Sequence, residues 1–326
     1  MKTYMIGAGA MGGVYGGLLV RAGYDVTLVD IRRDHVEKIR NDGLTVEGVR
    51  GTHVVRVASE TEAGGLPPGD LAIIFTDANS TADAAKTAKR LLKPEGCALT
   101  LQNGIGNVEA LVAELGEARV IAGVSMNSAA APGLARSAYT HNGMTSIGEL
   151  DGKDTPRIRQ VADMLNKAQI PTEIVADPMA YVRGKFVHNC AVNALAAISG
   201  LRSGEMWRTP EMNALQERVI DEILAVVKAR GWKLYDPDPR RKIRDHTATR
   251  FNKPSMLQHV EKGQRTEIDA LNGAIVREAR ALGIPVPYNE AVVAFVKGLE
   301  KSRRQALHEP PIDYAALEKA AVEGKA

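Results

Sequence analysis

Gly7-Ala8-Gly9-Ala10-Met11-Gly12 directly follows the apolar run Thr3–Ile6 and leads into a helical pattern, so the glycines stand where a strand hands over to a helix. In that setting the spacing suits a dinucleotide. Gly7 permits the tight turn, Gly9 lets backbone approach a pyrophosphate, and Gly12 lets the helix lie close on its sheet, while amides at the helix N-terminus face the phosphates. Gly7, Ala8, Gly9, Ala10, Met11 and Gly12 are therefore the expected cofactor loop. Asp30 ends the second apolar run, where a carboxylate accepts hydrogen bonds from the adenosine ribose hydroxyls of NAD and repels a 2′-phosphate. Arg32 and Arg33 follow at once, and either could pair with that phosphate if Asp30 turned away. NAD(H) is thus favoured over NADP(H), with NADP(H) not excluded.

A second pattern lies in Val182-Arg-Gly-Lys-Phe-Val-His-Asn-Cys-Ala-Val-Asn193, where Lys185, Asn189 and Asn193 recur at every fourth position. On a helix they form one polar line among apolar neighbours. Such a line is costly to bury unless it is used. Further on, Asn252-Lys-Pro-Ser255 and Arg265-Thr-Glu267-Ile-Asp supply more polar groups, the latter expected to open another helix. Singly, each has a plain structural reading: lysines snorkel, asparagines bond backbone, and Glu267 suits a helix N-terminus.

These groups need a frame, and the first half of the chain provides an alternating one. Strand-like runs at Thr3–Ile6, Val26–Asp30, Leu71–Phe75, Ala98–Leu101 and Val120–Val124 are separated by helical patterns at Met11–Ala22, Asp34–Asn41, Thr81–Leu92 and Val108–Leu115. Thr45–Val57 reads as a hairpin. The expected fold class is α/β, a Rossmann-type doubly wound parallel sheet, followed by a mainly α-helical C-terminal domain. The helical spacing sits in Met179–Ser199, Pro210–Arg230, Arg265–Leu282 and Asn289–Ser302. Residues 1–176 are expected to form the dinucleotide-binding domain and 177–326 the substrate and catalytic domain.

Composition narrows the classes of function. With 42 basic and 39 acidic side chains the charge is too balanced for a nucleic-acid footprint, so the expected partner is a small molecule. Two distant cysteines, Cys97 and Cys190, build neither a disulfide framework nor a thiolate metal site, which fits a reducing cytoplasm. No histidine pair has zinc-ligand spacing, and no metal is expected. No apolar run reaches the ~20 residues of a membrane span, and with a strand starting almost at Met1 no signal peptide is expected. Long apolar helices in the second half suit a homodimer.

Gln102-Asn103-Gly104-Ile-Gly106 after a sheet strand completes an ordered set that runs from the glycine loop to Glu267. In that order the segments resemble the ketopantoate reductase family, also called 2-dehydropantoate 2-reductases, over nearly the whole chain. The resemblance implies an NAD(P)-dependent oxidoreductase of pantothenate biosynthesis that reduces a 2-oxo acid, ketopantoate or a related compound, to the 2-hydroxy acid. It implies that Lys185 protonates the substrate carbonyl oxygen and that Glu267, beside substrate and lysine, keeps the ammonium charged and oriented. By the same resemblance Asn189, Asn193, Asn252 and Ser255 hold substrate hydroxyl and carboxylate groups, and Asn103 lies near the nicotinamide. Cofactor is expected on the N-terminal sheet, and substrate in the cleft between domains.

One segment departs from the family pattern. Where a lysine is typical, this chain reads Ile73-Ile-Phe-Thr76-Asp77-Ala-Asn79. Asp77 either reverses the local charge, pointing to a paralogous dehydrogenase for another oxo or hydroxy compound, or caps the next helix. A dinucleotide-binding sensor without chemistry is the remaining alternative, which Lys185 and Glu267 together argue against. His188 is expected to pack, since it lies on another side of its helix from Lys185.

Overall fold

In the computed structural model, which describes residues 1–323, the apolar runs become buried strands joined by helices. The order is β1 (Thr3–Ile6), α1 (Ala10–Arg21), β2 (Val26–Val29), α2 (Arg33–Asp42), β3 (Leu44–Gly48), β4 (His53–Val55), β5 (Ala58–Glu60), β6 (Gly69–Ile74), α3 (Thr81–Leu91), β7 (Leu92–Thr100), α4 (Asn107–Leu115) and β8 (Val120–Ser125). Then come β9 (Ser128–Gly133), β10 (Arg136–His141), β11 (Thr145–Glu149), α5 (Pro156–Lys167), β12 (Thr172–Ile174) and α6 (Pro178–Ser199). The remainder is helical: α7 (Ser203–Arg208), α8 (Pro210–Ala229), α9 (Pro239–Thr249), α10 (Ser255–Glu261), α11 (Asn272–Leu282), α12 (Pro287–His308) and α13 (Tyr314–Val322). Two compact units divide the chain, Met1–Val187 with Arg230–Pro239, and His188–Ala229 with the chain from Arg240 onward.

The first unit holds an eight-stranded sheet in the order β12-β11-β8-β7-β6-β1-β2-β5. Its pairs are parallel except β8–β11, which is antiparallel. Strand period two sends alternate side chains to opposite faces. Met5, Leu28, Ile73 and Leu99 join α1 and α5 in one apolar cluster, and Tyr4, Ile6, Val29, Ala72 and Ile74 join α3 and α4 in another. Both faces are therefore covered, the condition for a parallel sheet of near-continuous hydrophobic strands. The chain winds from β1 toward β2 on one side and toward β6 on the other. That switch point opens a crevice at the carboxyl ends of β1 and β6, where the glycine loop begins.

The hairpin expected over 45–57 forms, with Leu44 opposite Val55, but it belongs to a second sheet, β4-β3-β10-β9. There β10 runs parallel to β3, a pairing that local patterns do not announce. Strands β9, β10 and β11 and helix α5 extend a region that the sequence reading left without elements beyond Val124. Ser128–Gly133 is half alanine and largely exposed, with no apolar alternation to mark it. Helix α5 carries ordinary start signals, Thr155 accepting from the Ile158 amide at 3.3 Å and Pro156 at the first position.

In the second unit, Val219, Ile220, Ile223, Val226 and Val227 of α8 are buried at helical spacing, as are Ile275 and Ala279 of α11 and Val292 and Val296 of α12. These three helices contact one another in pairs. The helix expected to open at Arg265 starts instead at Asn272. Glu300 accepts from the Thr266 amide at 2.5 Å and the Thr266 hydroxyl from the Ile268 amide at 3.2 Å, but Leu271, at φ −107° and ψ −109°, leaves helical geometry, so only a 3₁₀ turn at Ile268–Ala270 forms ahead of α11. Helix α13 follows on the tail and buries no side chain. Among the described residues no helix is long and apolar enough to cross a membrane, and no group of three or more His, Cys, Asp or Glu side chains could hold a metal ion.

Candidate functional site

The loop after β1 is shaped for an anion. Gly7 has φ +92°, and a Cβ there would lie 2.7 Å from the Thr76 amide nitrogen, so the loop lies directly against the chain leaving β6. A Cβ on Gly12 would fall 1.8 Å from the Gly7 carbonyl oxygen, which closes the turn to any side chain. At Gly9, the N-cap of α1, a Cβ would meet nothing within 4 Å. No side chain caps α1, and its first turn has no acidic residue. Gly9 thus presents open space beside helix amides that no side-chain acceptor covers, and a pyrophosphate fits that cradle. Behind the loop, His35 is buried; its Nδ1 accepts from the Ala135 amide at 3.2 Å, which leaves Nε2 to donate to the Ala8 carbonyl at 2.9 Å. Burial and the Arg32 charge push the His35 pKa down, consistent with that neutral tautomer.

Asp30 lies at the end of β2, and its two oxygens accept four hydrogen bonds. Oδ2 takes the Ala8 amide at 2.9 Å and Arg32 Nη2 at 2.9 Å; Oδ1 takes the Arg32 amide at 3.0 Å and Arg32 Nε at 2.9 Å. A carboxylate has about four acceptor positions, so Arg32 fills most of what Asp30 offers. Burial opposes ionisation of Asp30, yet the Arg32 bonds outweigh it and the carboxyl sits below its ordinary value. Ile31 between them is 88% exposed, an apolar surface beside the paired charges.

The loops after β6 and β7 are stitched by Gln102, which the sequence reading quoted beside Asn103 without giving it a role. Gln102 Nε2 donates to the Thr76 carbonyl at 3.0 Å and to Thr81 Oγ1 at 2.8 Å, while its Oε1 accepts from Thr100 Oγ1 at 3.0 Å. Asn103 follows, its carbonyl accepting from Asn107 Nδ2 at 2.8 Å. Here a small cavity opens, lined by Gln102, Gly104, Gly106, Met179 and Val182, so the first turns of α6 face the Asn103 loop. Asp77 caps: its Oδ1 accepts from the Asn79 amide at 2.9 Å at the turn 78–80.

Two turns into α6, Lys185 Nζ donates to the Ser125 carbonyl at 2.5 Å, at the end of β8. The Ser125 hydroxyl belongs to a buried cluster of Tyr15, Asn127 and Thr145. None of these was singled out by sequence. The available signal was Tyr15, a bulky phenol amid glycines in Gly12-Gly-Val-Tyr-Gly-Gly17.

In the second unit, Asn189 and Asn193, one turn apart on α6, are both 8% exposed. Their backbone neighbourhood is fixed from outside: Asn272 Nδ2 donates to the Cys190 carbonyl at 2.9 Å and Gln216 Nε2 to the Ala191 carbonyl at 3.0 Å. His188 packs edge-on against His246, ring centroids 4.5 Å apart. Asn252 is exposed ahead of α10, and Ser255 opens that helix after Pro254. Glu267 is 8% exposed and stands just ahead of the 3₁₀ turn, without a side-chain capping bond to it, and not in the first turn of an α-helix.

Comparison with known proteins gives consistent matches. The family model for ketopantoate reductase PanE/ApbA matches residues 3–152, and that for the ketopantoate reductase PanE/ApbA C terminal matches residues 178–300. The 2-dehydropantoate 2-reductase of Pyrococcus horikoshii is 34% identical over 303 residues, 92% of this chain and 98% of its own. That of Aquifex aeolicus is 32% identical over 311 residues, 92% of this chain and 97% of its own. Among solved structures, a PanE/ApbA family ketopantoate reductase from Ralstonia eutropha JMP134 aligns with a TM-score of 0.86 at 33% identity, covering 93% of this chain and all of that one. D-mandelate dehydrogenase, solved with NADH and anilino(oxo)acetate, shares the fold with a TM-score of 0.87 at 23% identity, covering 93% of this chain and 100% of that one.

Proposed function

This chain belongs to the ketopantoate reductase family of NAD(P)-dependent oxidoreductases, and from that premise we propose that it reduces a 2-oxo acid, ketopantoate or a close relative, to the 2-hydroxy acid. The observation that carries the reading is Lys185, whose ammonium is held on the Ser125 carbonyl in the same unit as the glycine loop. A bound reduced dinucleotide supplies the hydride. Lys185 gives a proton to the substrate carbonyl oxygen as negative charge grows there, and its remaining charge stabilises that oxygen. Asn189, Asn193, Asn252 and Ser255 are assigned to the substrate hydroxyl and carboxylate groups, Glu267 to keeping the lysine protonated, and Asn103 to the nicotinamide end of the cofactor. Functionally, residues 1–176 serve the dinucleotide and 177–326 the substrate.

We favour NAD(H) as cofactor. Asp30 at the end of β2 repels a 2′-phosphate, and ribose hydroxyls can replace the Arg32 bonds on its oxygens. With Asp77 engaged as a turn cap, a cationic substrate has no support, and the oxo-acid reading stands over the paralogue one. Both cysteines are buried and free, in keeping with a reducing cytoplasm; a homodimer stays with this reading, and light scattering checks it. The deciding experiment measures oxidation of NADH and of NADPH with ketopantoate and a panel of other 2-oxo acids. Turnover with a 2-oxo acid and a higher kcat/KM for NADH is expected; no turnover on any 2-oxo acid with either cofactor would refute the reading.

A further inference from the structure

We propose that Tyr15, Ser125, Asn127 and Thr145 are positioning residues that hold the Lys185 ammonium in register with the glycine-loop helix, an inference that rests on reading Lys185 as the proton donor. A lysine side chain has a flexible four-carbon stem and three rotatable donors, so its position must come from its surroundings. The Ser125 carbonyl is one such anchor. β8 pairs with β7 over Val120–Ala122 only, so Ser125 lies past the last β7 partner, and its carbonyl turns to Lys185 Nζ at 2.5 Å.

What fixes that carbonyl is the other side of Ser125. Tyr15 Oη donates to Ser125 Oγ at 2.9 Å and shares a 2.6 Å hydrogen bond with Thr145 Oγ1, the residue opposite Ser125 in the β8–β11 pair. Asn127 is the hub. Its Nδ2 faces Tyr15 Oη at 2.9 Å, Ser125 Oγ at 3.0 Å and Thr145 Oγ1 at 3.1 Å, while its Oδ1 accepts from the Tyr139 hydroxyl and from the Gly143 amide at 2.9 Å. Tyr15 stands on α1, the helix whose N-terminus is the glycine loop. A single side chain thus links the helix that carries the cofactor loop to the residue that carries the lysine's anchor.

The cluster holds position and does not relay protons. Burial pushes the Tyr15 phenol up, and burial together with Tyr15 pushes Tyr139 up to about 12, so neither ionises near neutral pH. A fully satisfied buried network of neutral groups is rigid, and small displacements of a reacting group are costly to rate while leaving binding alone.

The test compares Tyr15→Phe, Thr145→Val and Thr145→Ser with Lys185→Ala in the full-length protein, reading kcat and KM for ketopantoate, dinucleotide Kd by fluorescence, and thermal midpoint. Tyr15→Phe and Thr145→Val are expected to lower kcat by about ten- to a hundred-fold with KM and dinucleotide Kd near wild type, and Thr145→Ser to restore most of the loss. Unchanged kcat in both, or a loss matched by weaker dinucleotide binding, would overturn the proposal. Should Tyr15→Phe not fold, the Thr145→Val and Thr145→Ser pair carries the same decision. Lys185→Ala separates the two readings: if it keeps full turnover the proton-donor role fails, whereas an inactive Lys185→Ala beside fully active network variants sinks this inference alone.

Discussion

Each unit buries a cluster of polar side chains, and the two clusters differ in what they hold. In the first, Tyr15, Ser125, Asn127 and Thr145 are neutral and surround a residue whose carbonyl accepts from Lys185. In the second, Asn289 Nδ2 donates to Glu222 Oε2 at 2.7 Å, and the same carboxylate accepts from the Tyr288 and Asn289 amides, each at 2.9 Å. Asn272 joins by donating to Asn289 Oδ1 at 3.0 Å and to the Cys190 carbonyl. That second cluster caps α12 and ties it to α6 and α8, because the Tyr288 and Asn289 amides of the first turn would otherwise lack acceptors. The first cluster has no helix end to cap. Burying polar groups is costly in both places, but only the first cluster borders Lys185, the proposed proton donor.

The contrast can be broken experimentally. The largest effect is expected for Lys185→Ala: kcat down by about 10²- to 10⁴-fold, with dinucleotide Kd within about two-fold of wild type, in steady-state and binding assays. A matching loss of cofactor affinity would place the lysine on the dinucleotide and not on the chemistry. Asn289→Leu comes next, and its effect should lie on the other axis, about 1–3 kcal/mol of stability lost in urea unfolding, since the Glu222 carboxylate loses a buried donor. Its kcat should remain that of wild type; a kcat that fell with stability would erase the difference between the clusters.

A smaller change tests the cofactor pocket. Arg32→Ala frees the Asp30 oxygens for ribose hydroxyls and removes the cation that could meet a 2′-phosphate. The ratio of kcat/KM for NADH over NADPH should rise by about ten-fold, roughly 1.4 kcal/mol of discrimination. A fall in that ratio would show that Arg32 serves NADH.

The smallest effect is pH-dependent. Folding lowers the His35 pKa below its unfolded value near 6.5, through burial first and the Arg32 charge second. Its contribution to stability is therefore complete above ~6.5 and declines as pH falls, because the unfolded chain takes up a proton that the folded one resists. His246, also lowered by burial, acts in the same direction. The thermal midpoint should drop between pH 7.5 and 5.5, and drop less in His35→Gln; equal drops would remove His35 from the account.

Much of the fold could be read locally, and the reason is visible in particular residues. The glycine loop sits between β1 and α1 because its conformation is encoded in six adjacent positions. The line of Lys185, Asn189 and Asn193 depends only on helical spacing, and α6 spans all three. By contrast, Ser125 and Asn127 meet Tyr15 across more than a hundred residues, and no local pattern marks such a meeting. The same holds for β10, whose partner β3 lies in the first fifty residues. The helix start expected at Arg265 moved to Asn272 for another reason: Leu271 adopts φ −107° and ψ −109°, a backbone break that apolar spacing does not reveal.

That parallel pairing of β3 with β10 has a consequence in time. Thr45 cannot meet Arg136 until roughly ninety further residues have been made, which at ribosomal speeds of about 5–20 residues per second is a wait of ~5–20 s. Through that interval the β3–β4 hairpin has an open edge, and two-stranded hairpins are marginal alone. The small sheet is expected to close only once β10 has emerged, and until then its open hairpin edge is a part that chaperones have reason to guard.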